Sequence, residues 1–189
     1  MDRRVGTLTK DFFEVITTRR SVRRYKPDPT PDELVKKLID AARWAPTGGN
    51  LQPWMFFVVK DPQMKDAIVQ TTYVGYDKKT GRPQKWIRNA PMLILVGVDT
   101  KTGARYGRSS AESVALLDIG ACIENLLLAA TAMGLGSCWV AGFDADQLAQ
   151  TLHLPKEIQL ISLVTIGFPQ KIPSPPPRLS VEEITTYLG

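Results

Sequence analysis

Arg19, Arg20, Arg23, Arg24 and Lys26 place five basic side chains within eight positions, with no acid among them. A guanidinium presents a planar fork of donors that can meet two phosphate oxygens at once, and a neighbouring hydroxyl adds another donor. Thr18-Arg19-Arg20-Ser21-Val22-Arg23 supplies that combination. A solvated basic face would share the pattern. So would a nucleic-acid surface, but no aromatic stacking platform is interleaved with the arginines.

Other reactive residue types are sparse. No glycine-rich Walker loop occurs, and Gly134-Leu135-Gly136 follows a helical pattern instead of joining a strand to a helix, so it is not a dinucleotide fingerprint. The lone His153, beside Leu152 and Leu154, reads as a capping or surface residue at a helix end. Cys122 and Cys138 sit among apolar residues and read as inert core thiols. Two cysteines and one histidine are too few for a structural zinc site or a disulfide framework. If the chain is an enzyme, a cofactor is expected to supply the reactivity.

The composition suits one domain over residues 1–189: 43% hydrophobic, 23% charged, net charge +5. No apolar segment follows the initial Met-Asp-Arg-Arg, so no secretory leader is expected and the cytoplasm is the default compartment.

The elements that must position the arginines follow from periodicity. Phe12, Phe13, Val15 and Ile16 predict a helix from Asp11 to Arg19 that delivers its carboxyl end to the cluster. Thr30-Pro31-Asp32-Glu33 reads as a capped start for a second helix, with Thr30 as the cap, ending near Trp44-Ala45. A loop from Pro46 to Pro53 precedes a continuous apolar run, Trp54 to Val59, expected as a buried strand. Asp61-Pro62 opens a helix to about Thr71. Met92 to Val98, Ser137 to Val140 and Leu160 to Ile166 read as further strands, and Asp144 as the cap of a helix to about Leu152. Tyr73 to Lys85 and Thr100 to Ser110 are polar loops. Gly167 to Pro177 holds five prolines in eleven residues, hence an extended arm, and Ser180 can cap a last short helix.

Ser113 to Met133 is apolar almost all round, and such a helix is expected to be buried on every side. Asn125 to Phe143 is long enough and free enough of charge to span a membrane. Gly134 and Gly136 argue instead for a helix end, a turn and a strand, so no membrane partner is expected. The second face of the helix then needs a partner helix, for which its own copy is a candidate, and the extended ends suit arms that embrace a second subunit. The fold class expected is α+β: three layers with a mixed, mainly antiparallel sheet of about four strands.

Several of these pieces together resemble the nitroreductase family of flavin-dependent oxidoreductases. They are Arg19-Arg20-Ser21-Val22-Arg23; Ala41-Ala42-Arg43-Trp44-Ala45-Pro46-Thr47 through Asn50-Leu51-Gln52-Pro53-Trp54; Asp118-Ile119-Gly120 with Asn125-Leu126-Leu127-Leu128-Ala129-Ala130; and Gly134-Leu135-Gly136. Their order and spacing match as well as their letters, over about residues 11–188. The resemblance implies a three-layer α/β/α fold, an intertwined homodimer and FMN at the subunit interface.

It also implies roles. Arg19, Arg20 and Ser21 would hold the FMN phosphate, with Arg23 near the pyrimidine edge of the flavin. Pro46, Thr47, Gly48 and Asn50 would reach the flavin from the other subunit. Trp139, Ala141 and Gly142 would lie against the ring, where glycine permits close backbone approach. Arg178 matches a basic phosphate ligand near the carboxyl end, although Pro176 stands where some relatives have a second. NADH or NADPH would reduce the flavin and leave, and an electron-poor small molecule, such as a nitroaromatic or quinone, would then be reduced on the same face. The family also contains iodotyrosine-dehalogenating and flavin-cleaving members, distinguished by the segments covering the flavin. Here those segments carry Tyr73, Tyr76, Lys85, Trp86, Arg105, Tyr106 and Arg108. Asp118 and Asn125 would satisfy polar needs at the dimer interface.

Overall fold

The computed structural model describes residues 11–75, 79–107 and 111–189. In chain order the regular elements are α1 (Phe12–Thr18), α2 (Asp32–Ala42), β1 (Trp54–Val59), α3 (Pro62–Gln70), β2 (Met92–Asp99), α4 (Thr100–Gly103), α5 (Ala111–Ala132), β3 (Gly136–Val140), α6 (Ala145–Thr151), β4 (Ile158–Gly167) and α7 (Val181–Ile184). Single 3-10 turns occupy Gly48–Asn50, Lys85–Asn89 and Ala104–Tyr106.

The strands form one sheet in the order β1-β2-β4-β3, and every ladder is antiparallel. Parallel pairing, expected as part of a mixed sheet, is confined among the described residues to one bridge, Ser21 with Ser137 on the outer edge of β3. Side chains of β2 alternate between faces, as strand geometry requires. Met92, Ile94 and Val96 pack with α2 and α5, while Leu93 and Leu95 pack with Ile68 and Val69 of α3 and Leu148 of α6. The sheet is therefore sandwiched between helices, giving the three layers.

Asp61 caps α3, Asp144 caps α6, and Ser180 with Glu183 forms a full capping box on α7. Thr30 does not cap α2. The cap position is Pro31, and the Thr30 hydroxyl is buried without a hydrogen-bond partner, because the Pro31 ring starts the turn one residue later. β1 is an edge strand rather than a buried one, with Met55 and Val58 exposed. An apolar run cannot distinguish these, since a half-covered edge can carry the same residues.

By length and composition Ser113–Ala132 could cross a membrane, yet Ile119, Ile123 and Leu126 are fully buried in the core against α2 and the sheet. The helix is not covered on every side within one chain, because Leu117 is 73% exposed and Leu116 44%. It ends in a Schellman turn: Gly134 has φ +72°, and Leu135 N–H bonds the Ala130 carbonyl. Residues 170–189 run exposed across the molecule, with α7 their only helix.

Candidate functional site

The basic segment is held by its backbone. α1 stops at Thr18, and Arg19 is extended (φ −57°, ψ 134°). Val22 N–H then donates to Ser137 O on β3 (2.8 Å), Lys26 N–H to Phe168 O (2.8 Å), and Gln170 N–H to Arg24 O (2.9 Å). Residues 21–26 thus strap the ends of β3 and β4. Val22 and Tyr25 point into the core, and the Tyr25 hydroxyl joins the Val22 carbonyl to Thr165 Oγ1 (2.6 Å to the latter). Burial pushes the Tyr25 hydroxyl pKa well above its ordinary value, against the weaker pull of Thr165. Gly136 is needed here, because a Cβ would lie 2.8 Å from Val22 Cγ1.

With the apolar members of the strap buried, its arginines face outward. Arg19, Arg20, Ser21 and Arg23 line a cavity of about 320 Å³ whose other wall is the C-terminal arm: Pro173, Ser174, Pro176 and Arg178. Four guanidiniums therefore converge, and among the described residues no acid lines the cavity. Arg19 directs its Nε at Glu124 of α5 (3.1 Å). Arg20 donates to the Thr17 and Arg19 carbonyls at the end of α1 (2.8 and 2.7 Å). Among the described residues Arg178 donates only to the adjacent Pro177 carbonyl (3.3 Å). This donor set suits a phosphate dianion.

A neighbouring cavity of about 220 Å³ is lined by Arg23, Trp139, Ala141 and Gly142, together with Tyr73, Gln84, Trp86 and Cys138. Arg23 belongs to both cavities, and its guanidinium carbon lies 5.6 Å from the centre of the Trp86 ring. Gln84 ties the walls together: its side-chain amide donates to Tyr73 O (2.9 Å) and Gly142 O (3.2 Å) and accepts from Trp86 Nε1 (3.3 Å). A Cβ on Gly142 would fall 2.5 Å from the Tyr73 carbonyl oxygen. Glycine here therefore admits the Tyr73 backbone, a different reason from the ligand approach expected of it. The Cys138 thiol is buried, which raises its pKa. Cys122 is likewise buried, and its pKa is raised to about 12. Both behave as core thiols.

Pro46, Thr47, Gly48 and Asn50 line neither cavity. Their loop is built on left-handed residues, Gly49 (φ +56°), Asn50 (+55°) and Gln52 (+51°). Gly48 rests on the Tyr106 ring, where a Cβ would meet Cε1 at 2.9 Å. The Tyr106 hydroxyl donates to Asp118 on α5, and desolvation, followed by the Asp118 carboxylate, raises the Tyr106 pKa. Asn125 donates to Ala41 O of α2 (3.4 Å). Asp118 and Asn125 thus each find a polar partner inside one chain.

Of the segments expected to cover the flavin, Tyr73 and Trp86 reach the cavity shared by Arg23 and Trp139, whereas Lys85, Arg105 and Tyr106 do not line it. Tyr76 and Arg108 lie outside the described residues. Glu124 and Gln84 carried no signal in the sequence. Glu124 sits over a hundred positions from Arg19, and an amide that bridges carbonyls is recognisable only once those carbonyls have been placed. His153 is exposed with φ +51°, at the end of α6.

Residues 16–168 match the model of the nitroreductase family. Protein DrgA of Synechocystis is 34% identical over 184 residues, covering 83% of each chain. An NADH dehydrogenase of Thermus thermophilus is 28% identical over 197 residues, covering 89% of this chain and 92% of the relative. Among solved structures, a protein of Desulfovibrio desulfuricans in complex with FMN superposes with a TM-score of 0.79 at 28% identity, covering 95% of this chain and 98% of that one.

Proposed function

Since the chain belongs to the nitroreductase family of flavin-dependent enzymes, we propose that it passes hydride from NADH or NADPH, by way of FMN, to an electron-poor small molecule such as a nitroaromatic or quinone. The observation that carries this reading is the junction of two cavities at Arg23, one suited to a phosphate and one walled by aromatic rings and a turn of backbone. FMN, when bound, supplies the capacity to take up hydride and hand it on. The two half-reactions would then share one site, the ping-pong pattern.

The chain's own residues bind and orient. Arg19, Arg20, Ser21 and Arg178 would hold the phosphate, and Glu124 would keep Arg19 in place through Nε while leaving its two Nη groups for the ligand. Arg23 brings positive charge to the ring end, and Trp139, Ala141 and Gly142 form the wall there. The phosphate-end cavity lies between the strap and the arm, an enclosure that suits one phosphate group better than the backbone of a nucleic acid. Pro46, Thr47, Gly48 and Asn50 complete the site if they come from a second copy, so we propose a homodimer. Support comes from Leu117, Phe12 and Phe13, which are 73%, 63% and 71% exposed, and from the uncovered arm.

The test is uptake of FMN by purified protein, followed by anaerobic mixing with NADH or NADPH and then a panel of acceptors. Arg178→Ala should weaken FMN binding by about tenfold or more, the scale of a lost charge-assisted hydrogen bond. A colourless protein that takes up no FMN would remove the proposal, and a yellow one with no turnover on any acceptor would make it a flavin carrier.

A further inference from the structure

Beyond the two cavities at the proposed flavin site, one of about 660 Å³ has Arg23, Arg24, Lys65, Asn89, Gln170 and Pro91 among its lining residues, and among the described residues no acid lines it. Lys65 is 9% exposed, and its ammonium donates to the Ala90 carbonyl (2.8 Å). An ammonium has three protons to donate, so among the described residues two of them have no protein acceptor in this buried position. Burial holds the Lys65 pKa below its ordinary value, and the nearby Asp66 and Asp61 only oppose that shift. Both acids are otherwise engaged: Asp66 is paired with Arg88 (2.7 Å), and Asp61 accepts from Met64 N–H as the cap of α3 (2.7 Å).

The other polar groups of this cavity are also unspent. Among the described residues, the Arg24 guanidinium and the side-chain amides of Asn89 and Gln170 have no hydrogen bond or ion pair. The backbones of Arg24 and Gln170 are nevertheless tied together, Gln170 N–H donating to Arg24 O at 2.9 Å, and Asn89 ends the 3-10 turn Lys85–Asn89. A cationic fork, a buried point charge and two amides held on a rigid frame form a prearranged receptor for oxyanions.

We propose that this cavity binds a small organic anion, a carboxylate or a phosphate ester, between Arg24 and Lys65, with Asn89 and Gln170 reading the rest of the molecule. Arg23 lines this cavity as well as both cavities of the proposed FMN site. The anion is therefore coupled to flavin binding, a clause that rests on the function proposed above. An anion that draws the Arg23 guanidinium towards itself weakens its hold on the flavin edge, and by linkage FMN weakens the anion to the same degree.

The experiment is calorimetric titration of the FMN-loaded protein with inorganic pyrophosphate and, separately, with citrate. The expected result is saturable binding of at least one of them at one site per chain, weakened about tenfold or more by Arg24→Ala and by Lys65→Met and retained by Arg178→Ala when FMN is kept saturating. Tighter citrate would identify a carboxylate ligand, and tighter pyrophosphate a phosphate ester. Arg24 is exposed, so Arg24→Ala and Asn89→Ala decide the matter even if Lys65→Met fails to fold. The proposal is overturned if neither anion saturates, if Arg24→Ala binds as well as the unaltered protein, or if binding is lost in Arg178→Ala, which would place the anion in the phosphate-end cavity. Should the protein take up no FMN, the same titration on the flavin-free chain still decides. The coupling is read from FMN affinity with and without saturating anion: about a fivefold loss is expected, and an unchanged affinity removes the Arg23 link.

Discussion

The strap at residues 21–26 and the loop at 46–52 are both assigned to one cofactor, yet they are held in opposite ways. The strap borrows the sheet, through backbone bonds to Ser137, Phe168 and Gln170, and it contains no left-handed residue. The loop is tied mainly to itself, by Asn50 N–H to Thr47 O (3.1 Å), Leu51 N–H to Gly48 O (3.2 Å) and Gln52 N–H to Thr47 Oγ1 (3.3 Å), with three residues at positive φ. A segment that serves its own chain can be fixed by that chain's core. One proposed to serve a neighbour must keep its shape while projecting from the core, and local turn geometry is the means available.

The comparison breaks most readily at glycines. A Cβ on Gly167 would lie 2.4 Å from Pro91 Cδ and 3.0 Å from the Tyr25 ring that anchors the strap. Neither ring can turn aside, so Gly167→Ala should cost about 3 kcal/mol, the upper range for overpacking. In the loop, a Cβ on Gly49 meets nothing closer than Leu51 Cγ at 3.9 Å, and only the φ of +56° resists it. Gly49→Ala should cost about 1 kcal/mol. Urea unfolding of the two variants measures both, and equal costs would mean that the loop is as tightly anchored as the strap.

Next in size is Tyr25→Phe. It removes the hydroxyl that joins the Val22 carbonyl to Thr165 and leaves those buried groups short of a partner, an expected loss of about 2 kcal/mol. Cys138 reports on the same opening, because its thiol is buried in the core cluster that also holds Val22 and Tyr25 of the strap. Alkylation of Cys138 in the native protein should be slow and should accelerate in Tyr25→Phe. It should not accelerate in Gly49→Ala.

The strap and the loop were not equally legible in the sequence. The Arg19 to Arg23 spacing offered a phosphate site beside a solvated basic face and a nucleic-acid surface, and helix periodicity explained how α1 delivers the cluster. Arg178 was placed there only by family resemblance, since nothing in a proline-rich arm says where it folds back. The caps at Asp61, Asp144 and Ser180 were readable because capping is local chemistry. Thr30 misled because a proline after a threonine fits two registers of the same turn. The β1 run misled because hydrophobicity alone does not separate an edge strand from a central one. Glu124, Gln84 and the basic cavity around Lys65 were out of reach, as each joins segments far apart in the chain.

A pH series separates the buried groups from the surface ones. The Cys122 pKa rises from 9.0 to about 12 by burial. Between those values the unfolded chain has lost a proton that the folded chain keeps, so the unfolded state binds fewer protons and stability falls as pH rises. Below pH 9 the contribution is fully present, and by pH 10 about 1 kcal/mol should be gone from this group. The raised Tyr25 hydroxyl acts in the same direction, starting from its ordinary 10.0, so Tyr25→Phe should show a shallower alkaline decline than the unaltered chain. Cys122→Ala should flatten the early part. A decline of unaltered steepness in Cys122→Ala would mean that the thiol is already ionised in the folded protein.

The smallest expected effect tests the loop most directly. Gln52 holds φ +51° without being glycine, and its amide donates to Asn50 Oδ1 at 3.2 Å. Gln52→Gly relieves about 1 kcal/mol of left-handed strain. It also loses an exposed hydrogen bond and frees the unfolded chain, two terms that together oppose the gain by a similar amount. Stability should therefore change by no more than about 0.5 kcal/mol. FMN binding should respond differently, because the loop keeps its fold but no longer has a side chain to hold Asn50 towards a partner. A several-fold loss of FMN affinity at constant stability would place this loop in the cofactor site, while parallel changes in both, or in neither, would leave the loop a surface turn and the strap the whole of the site.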